Sequence, residues 1–503
     1  MQNNPESFFQ RLLGMPEAAG LRVSCGGRGA CGGCQIRIFA NPPLPTLADR
    51  RLIPPEKLRK GFRLACMLPE DFQGDFEIPA SCFQKKTVSL SFGRADFQGI
   101  SFPLEKDILA IDLGTTTIAM ALYAKADGSV LETWSSLNPQ RFYGADVLSR
   151  LQAAKEGHGE RLRDLIREAL LQGIRRIAEE NPAKEPFEIF LAGNTSMLHL
   201  FCGYPVEKLS EAPFLPYSIA PDIISLGSYS IHTLPCFSAF VGADIFADFY
   251  SLHWNGKEPF FLLDLGTNGE MLFGFPEGEG FRLLCSSAPA GPAFEGGASA
   301  GVYGADLVKA LAALRRSGKM DATGLLADSY FKEGIVFQAG KEEGKAAEPK
   351  KREEEGAVKR KEGEKEEAAE FKERTAEGGT KDWFRLSQQD IRELQKAKGA
   401  VAAGIDCLLA LGGLAPEKCY LAGGFGYFLQ PEDAAEIGLI PERFRHASVS
   451  LGNAVLPGIF RYAACKGEGA EEILEAAKPV NLATLPDFQE KYIGNLDFPD
   501  RCS

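Results

Sequence analysis

The chain has no uninterrupted apolar run of the ~18 residues that a bilayer-spanning helix needs. Its first residues, Met1 to Gln10, lack the basic start and apolar core of a secretory leader, so a cytoplasmic location is expected. Positive charge is not in excess. Lys and Arg number 56 against 68 Asp and Glu, a net charge of −12. This argues against nucleic acid or an anionic membrane as the main partner, because clustered cations hold both. Cysteine, at 12 in 503 residues, is too sparse for a disulfide scaffold. Histidine is scarcer still. The five histidines are dispersed, no His-rich metal site or nucleophile–base triad is evident, and His199 reads as structural.

The rest of the composition is that of a globular protein, with 45% apolar and 25% charged residues. The length suits about three domains at ~150 residues each. Residues 1–80 are rich in Gly and Pro and hold a cysteine cluster. Residues 81–105 read as a linker, 106–259 and 260–465 as two α/β lobes, and 466–503 as a tail. Residues 341–380 carry 11 Lys/Arg and 13 Glu with almost no large apolar side chain. Such a stretch buries too little surface to offset its ordering entropy, and it is expected to be a mobile insertion in a surface loop, with a solvated helix as the alternative.

Four cysteines are placed for a metal centre. Cys25, Cys31 and Cys34 follow the spacing Cys-x5-Cys-x2-Cys, and Cys66 follows at a distance. Three thiolates so close must curl around one centre, and the interleaved Gly26, Gly27, Gly29, Gly32 and Gly33 permit the tight turns. The pattern is near that of plant-type [2Fe-2S] sites. A zinc site is the rival, but it usually repeats a Cys-x2-Cys pair, and only one pair stands here. The other eight cysteines read as small buried hydrophobes.

The tetrapeptide Asp-Leu-Gly-Thr occurs twice, at Asp112 to Thr115 and at Asp264 to Thr267, each time after an apolar run that reads as a buried strand. A carboxylate at the end of a rigid strand can hold the water shell of Mg²⁺. The turn residues Gly114, Thr115, Thr116 and Thr117, and Gly266, Thr267, Asn268 and Gly269, offer N–H and hydroxyl donors to phosphate oxygens. Further strand-then-glycine turns stand at Gly193-Asn194-Thr195, at Gly291 to Gly296, and at Gly423-Gly424-Phe425-Gly426, the last expected near adenosine. Gly242, Ala243 and Ala247, and Gly452, Ala454 and Gly458, give two small-residue helix faces that suit a close crossing and a hinge; plain core packing is the other reading.

This order of motifs resembles the superfamily of acetate and sugar kinases, Hsp70 chaperones and actin. The resemblance implies an α/β, actin-like two-lobed ATPase domain of duplicated RNase H-like halves, preceded by a small α+β ferredoxin-like domain. Gly193 to His199, Asp264 to Glu270, Ala290 to Gly296 and Gly452 to Ala454 look like the ATP-dependent reductive activators of corrinoid proteins, which also carry an N-terminal two-iron ferredoxin domain. One departure is that only a helix, Phe8 to Ala19, precedes Cys25, where ferredoxin domains open with a β-hairpin; the hairpin is missing or the true start lies upstream. The resemblance implies a [2Fe-2S] cluster on Cys25, Cys31, Cys34 and Cys66, ATP, and Mg²⁺ near Asp112 and Asp264. Glu270 or Glu295 would orient water, with ion-pair roles as the alternative. It implies one-electron reduction of Co(II) to Co(I) in a corrinoid protein of a methyltransferase system, an upstream electron donor and a homodimer. The alternatives are a small-molecule kinase with a regulatory cluster and a nucleotide-sensing electron carrier without useful hydrolysis.

Overall fold

The computed structural model describes residues 7–13, 15, 18, 21, 27–29, 32–79, 82, 104–144, 146–181, 187–252, 254–266, 268–289, 304–331, 334–338, 383–426 and 428–500. The 341–380 insertion, nearly all of the 81–105 linker, and Cys25, Cys31, Thr267, Gly291, Glu295 and Gly296 lie outside the described residues.

Glycine-rich segments with short apolar runs make small sheets. Near the N-terminus, β1 (Gln35–Ile38), β2 (Phe62–Leu64) and β3 (Phe76–Glu77) form an antiparallel sheet in the order β2-β1-β3. A helix, Phe8–Leu13, closes it, and the Phe8 ring meets Phe72 and Phe76 edge-on at 4.9 and 5.5 Å. The helix stops well short of the expected Ala19, because Gly14 and Pro16 follow it. Phe142, from the next part of the chain, packs against this small core.

The continuous apolar runs give strands covered on both faces. In the first large sheet these are β4 (Ile108–Leu113), β5 (Thr117–Tyr123), β6 (Val130–Leu137), β7 (Glu188–Gly193), β8 (Ile223–Leu226) and β9 (Tyr229–Thr233). Their order is β6-β5-β4-β7-β9-β8. The second sheet holds β10 (Phe260–Leu265), β11 (Gly269–Glu277) and β12 (Gly280–Ala288), joined later by β15 (Lys418–Ala422), β16 (Ser448–Gly452) and β17 (Ala477–Pro479). Its order is β16-β15-β10-β11-β12-β17. Both sheets place an antiparallel three-strand meander beside a parallel strand, β6-β5-β4-β7 in one and β12-β11-β10-β15 in the other. This is the duplicated α/β plan of an actin-like domain. A hairpin of β13 (Ile335–Gln338) and β14 (Trp383–Leu386) flanks the insertion, with Gln338 opposite Trp383.

Between the sheets lie the helices Ala243–Ser251 and Val455–Ala464. The first touches both β7 and β11, and the second packs on β4 and β7. Val455–Ala464, late in the chain, thus joins the core of the first sheet. Their close approach needs glycine: a methyl at Gly458 would lie 1.8 Å from the Ala247 carbonyl oxygen. Of the small residues read from sequence, Ala247 and Gly458 meet at this crossing, whereas Gly242 lies against Gly193 and Asn194 and Gly452 ends β16.

Residues 466–503 were expected to be a tail, yet the described part is built into the second half. β17 pairs in parallel with β12, and Phe498 is buried. Lys398 Nζ donates to the Asp497 carbonyl at 2.6 Å and Arg315 Nη2 to that of Pro499 at 2.5 Å, with both cations over the Phe498 ring. Burial pulls the Lys398 ammonium down to about 8. No described helix is long and apolar enough to cross a membrane.

Candidate active site

In each hairpin the last-but-one residue of the first strand is an aspartate. Asp112 lies opposite Ala119 in β4–β5, and Asp264 opposite Glu270 in β10–β11. The parallel neighbours repeat the correspondence: Asp112 pairs with Ala192, just before Gly193, and Asp264 with Ala422, just before Gly423. Both glycines are sterically required. A methyl on Gly193 would lie 2.6 Å from the Leu113 carbonyl oxygen, and one on Gly423, at φ +83, would lie 2.2 Å from Asp264 Oδ1. Gly423 therefore lies against the acidic end of the cleft. Gly424 and Gly426 follow in the short helix Gly423–Gly426, whose Phe425 contributes a described backbone.

The first turn is held from beneath. Asn138 Nδ2 donates to the Gly114 carbonyl at 2.9 Å, and the Asn138 N–H donates to that of Thr116 at 2.8 Å. Arg150, wholly buried, donates Nη2 to the Thr115 carbonyl at 2.6 Å and Nε to that of Gly144 at 3.0 Å. Asn194 Nδ2 donates to Thr115 Oγ1 at 2.9 Å, while its Oδ1 accepts from Met197 N and caps the helix Thr195–Cys202. Thr195 spends its hydroxyl on the Ser238 carbonyl at 2.6 Å. Thr117 opens β5, and its carbonyl crowds Gly114, where a methyl would lie 2.7 Å away. In the second turn Gly266 N–H donates to the Asn268 carbonyl at 2.9 Å. His199 lies outside this chemistry: Nδ1 contacts the Thr195 carbonyl at 2.7 Å and Nε2 accepts from Tyr217 N at 3.0 Å, which fixes a neutral ring.

Asp112 Oδ2 accepts from Asn453 Nδ2 at 3.0 Å, a bond from the first sheet to the residue after β16 of the second. Two acids not singled out in the sequence join the cleft from the crossing helix: Asp244 and Asp248, four apart and so on one face. Burial pushes Asp112 up to about 7, reinforced by the Asp264 charge. Asp244 rises to about 7 by burial and by Asp264, and Asp248, Asp264 and Glu270 are all raised, first by burial. Among the described residues neither Asp248 oxygen has a hydrogen-bond donor, and Asp264 is its charged neighbour. Two such carboxylates coexist only by sharing a proton or a cation. Among the described residues no three His, Cys, Asp or Glu converge as direct ligands of one ion. The acids instead suit a hydrated Mg²⁺, which keeps several waters and takes one or two carboxylates plus phosphate.

At the other end of the chain, Cys34 and Cys66 bring their sulfurs to 3.3 Å. Gly27, Gly29 and Gly32 adopt φ of +86, +66 and +71, and a methyl at Gly27 would lie 3.7 Å from Cys66 Cβ. Gly27 thus lies against Cys66, which fits a thiolate-held cluster closed by a distant fourth cysteine.

Residues 108–255 match the model of the RACo middle region, and residues 258–306 with 325–502 match the model described as the C-terminal domain of RACo, the ASKHA domain. The chain belongs to the RACo family. It is 29% identical over 434 residues to a corrinoid activation enzyme, RamQ, of Eubacterium limosum, covering 78% of this chain and 70% of that one. It is 22% identical over 432 residues to a [Co(II) methylated amine-specific corrinoid protein] reductase of Methanosarcina barkeri, covering 78% and 76%. Its fold matches a solved reductive activator for corrinoid, iron-sulfur protein with a TM-score of 0.63 at 21% identity, over 99% of this chain and 96% of that one. Asp112, Asp244 and Asp248 lie within the first matched region, and Asp264 and Glu270 within the second.

Proposed function

We propose that this protein uses ATP to drive the one-electron reduction of Co(II) to Co(I) in a corrinoid protein of a methyltransferase system. The electron would come from a [2Fe-2S] cluster held by Cys25, Cys31, Cys34 and Cys66, whose reduced form loses the one electron that cobalt gains. The observation that carries the reading is an ASKHA cleft of the RACo family on the same chain as Gly27 lying against Cys66, whose sulfur meets that of Cys34. The names of the relatives, a corrinoid activation enzyme and a corrinoid protein reductase, support the choice of substrate.

In this reading Asp112 and Asp264 hold hydrated Mg²⁺, the Gly114 to Thr117 and Gly266 to Gly269 turns take phosphate oxygens, and Gly423 to Gly426 lie by the nucleoside. Glu270, beside Asp264 and pushed upward, is the described candidate to orient water, with Glu295 the alternative. Nucleotide can act on the electron step only if it binds two states differently, and the crossing at Gly458 lies where two lobes would pivot. The test is anaerobic. A reconstituted protein is mixed with a Co(II) corrinoid protein, and Co(I) is followed by its visible absorbance with and without Mg-ATP. ATP-dependent Co(I) formation, lost in both Cys34→Ser and Asp264→Asn, is expected. Equal reduction without ATP would sink the reading.

A further inference from the structure

Beside the small N-terminal sheet lies an exposed helical face. The helix Leu47–Leu52 has two faces. Its inner face packs on the cysteine loop: a methyl at Gly29 would lie 3.2 Å from Ala48 Cβ, and one at Gly32 would lie 3.5 Å from Leu52 Cβ. Its outer face presents Leu47, Arg50 and Arg51, at the i, i+3, i+4 spacing that aligns side chains in one patch. Leu47 is 87% exposed, as is Leu44, two residues before the capping Thr46. Arg50, Arg51 and Arg28 at the tip of the cysteine loop are all exposed. The acid of this helix, Asp49, is buried and turned inward, where it accepts from the Thr46 and Leu64 N–H groups. The patch is therefore cationic around an apolar pair, in a chain whose net charge is −12.

We infer that the Leu44–Arg51 face is the docking site of the upstream electron donor, a small acidic electron-transfer protein. The inference rests on the four cysteines holding a cluster. An acidic partner is repelled by most of this chain and steered to its basic face, which fixes approach and orientation together. Two exposed leucines with a charged rim make the small, quickly broken contact of transient redox encounters. The corrinoid protein is the less fitting occupant, because its binding must sense nucleotide and so must bear on the lobes. The donor would lose one electron and a cluster held by the four cysteines would gain it.

The experiment uses the full chain and a reduced plant-type [2Fe-2S] ferredoxin, a strongly acidic protein, as the probe. Rapid mixing gives the rate constant of cluster reduction, and calorimetric titration gives ferredoxin affinity whether or not iron is bound. Arg50→Glu/Arg51→Glu is expected to lower both by about tenfold at low salt and to flatten their salt dependence. Photoreduction by neutral deazaflavin, ATP hydrolysis and thermal stability should not change. Leu47→Ser should weaken binding at every salt concentration. A charge-reversed variant that binds and accepts electrons from ferredoxin like the wild type would overturn the inference, as would loss of corrinoid-protein binding alone. Absence of any cluster would instead strike the iron-sulfur reading, with the titration still deciding the docking face.

Discussion

Gly458→Ala sets two effects of opposite sign against each other. In an isolated helix the substitution stabilises by ~1 kcal/mol, because alanine loses less backbone freedom than glycine. Here the new methyl would stand 1.8 Å from the Ala247 carbonyl oxygen of the crossing helix. No rotamer relieves that contact, since both atoms are fixed by helical backbone. The two helices must separate by more than ~1 Å, in a core where overpacking costs ~1–3 kcal/mol. Collision should win, leaving the protein destabilised by ~1–2 kcal/mol and its Tm lower by a few degrees. Gly159→Ala is the matched control: it is also helical, and its nearest non-neighbour is an ordinary 3.7 Å away, so only the propensity gain applies. Thermal unfolding by circular dichroism compares the pair, and ATP titration asks whether forcing the crossing apart also weakens nucleotide binding, expected by about tenfold. If Gly458→Ala is stabilised as much as Gly159→Ala, or binds ATP unchanged, the close crossing is not what joins the lobes.

The acids of the cleft make stability depend on pH. Asp112 and Asp244, at about 7 in the fold against an ordinary 3.8, bind protons in the folded state that the unfolded chain has released. Each contributes stability that is lost as pH rises from about 4 through 7, at most ~1.4 kcal/mol per pH unit. In EDTA the Tm should therefore fall between pH 5 and 8; Mg-ATP should flatten the fall, and so should Asp112→Asn. An unchanged slope in Asp112→Asn would remove Asp112 from the explanation. Arg150 makes a separate prediction. Its fork reaches the Thr115 and Gly144 carbonyls together, which a lysine cannot do. Arg150→Lys should raise the KM for ATP, and Arg150→Met, which leaves both buried acceptors without that donor, should cost ~3 kcal/mol in urea unfolding. Normal ATP kinetics in Arg150→Lys would show that the turn needs no such prop.

What could be read from the sequence and what could not divides by the range of the interaction. Asp112 and Asp264 stood out because each ends a run of apolar residues, and strand, turn and carboxylate are neighbours in the chain. The twofold plan was legible for the same reason, since β4–β5 and β10–β11 are local hairpins. The cleft's other members act at long range. Asn453 reaches Asp112 across 341 residues, and Arg150 reaches Thr115 across 35. In sequence, Arg150 is one more polar residue on a short helix and gives no sign of being buried. Asp244 and Asp248 did leave a trace: they are the two acids of an otherwise apolar helix, four apart, beside the small residues that marked the crossing. A carboxylate pair on a face destined for a core is costly unless a cation or proton meets it. The same pattern that predicted close packing therefore also carried the cleft's charge. The described end of the chain shows the reverse case. Phe498 sits in an aperiodic stretch, and residues distant in the chain, Lys398 and Arg315 among them, make it part of a core.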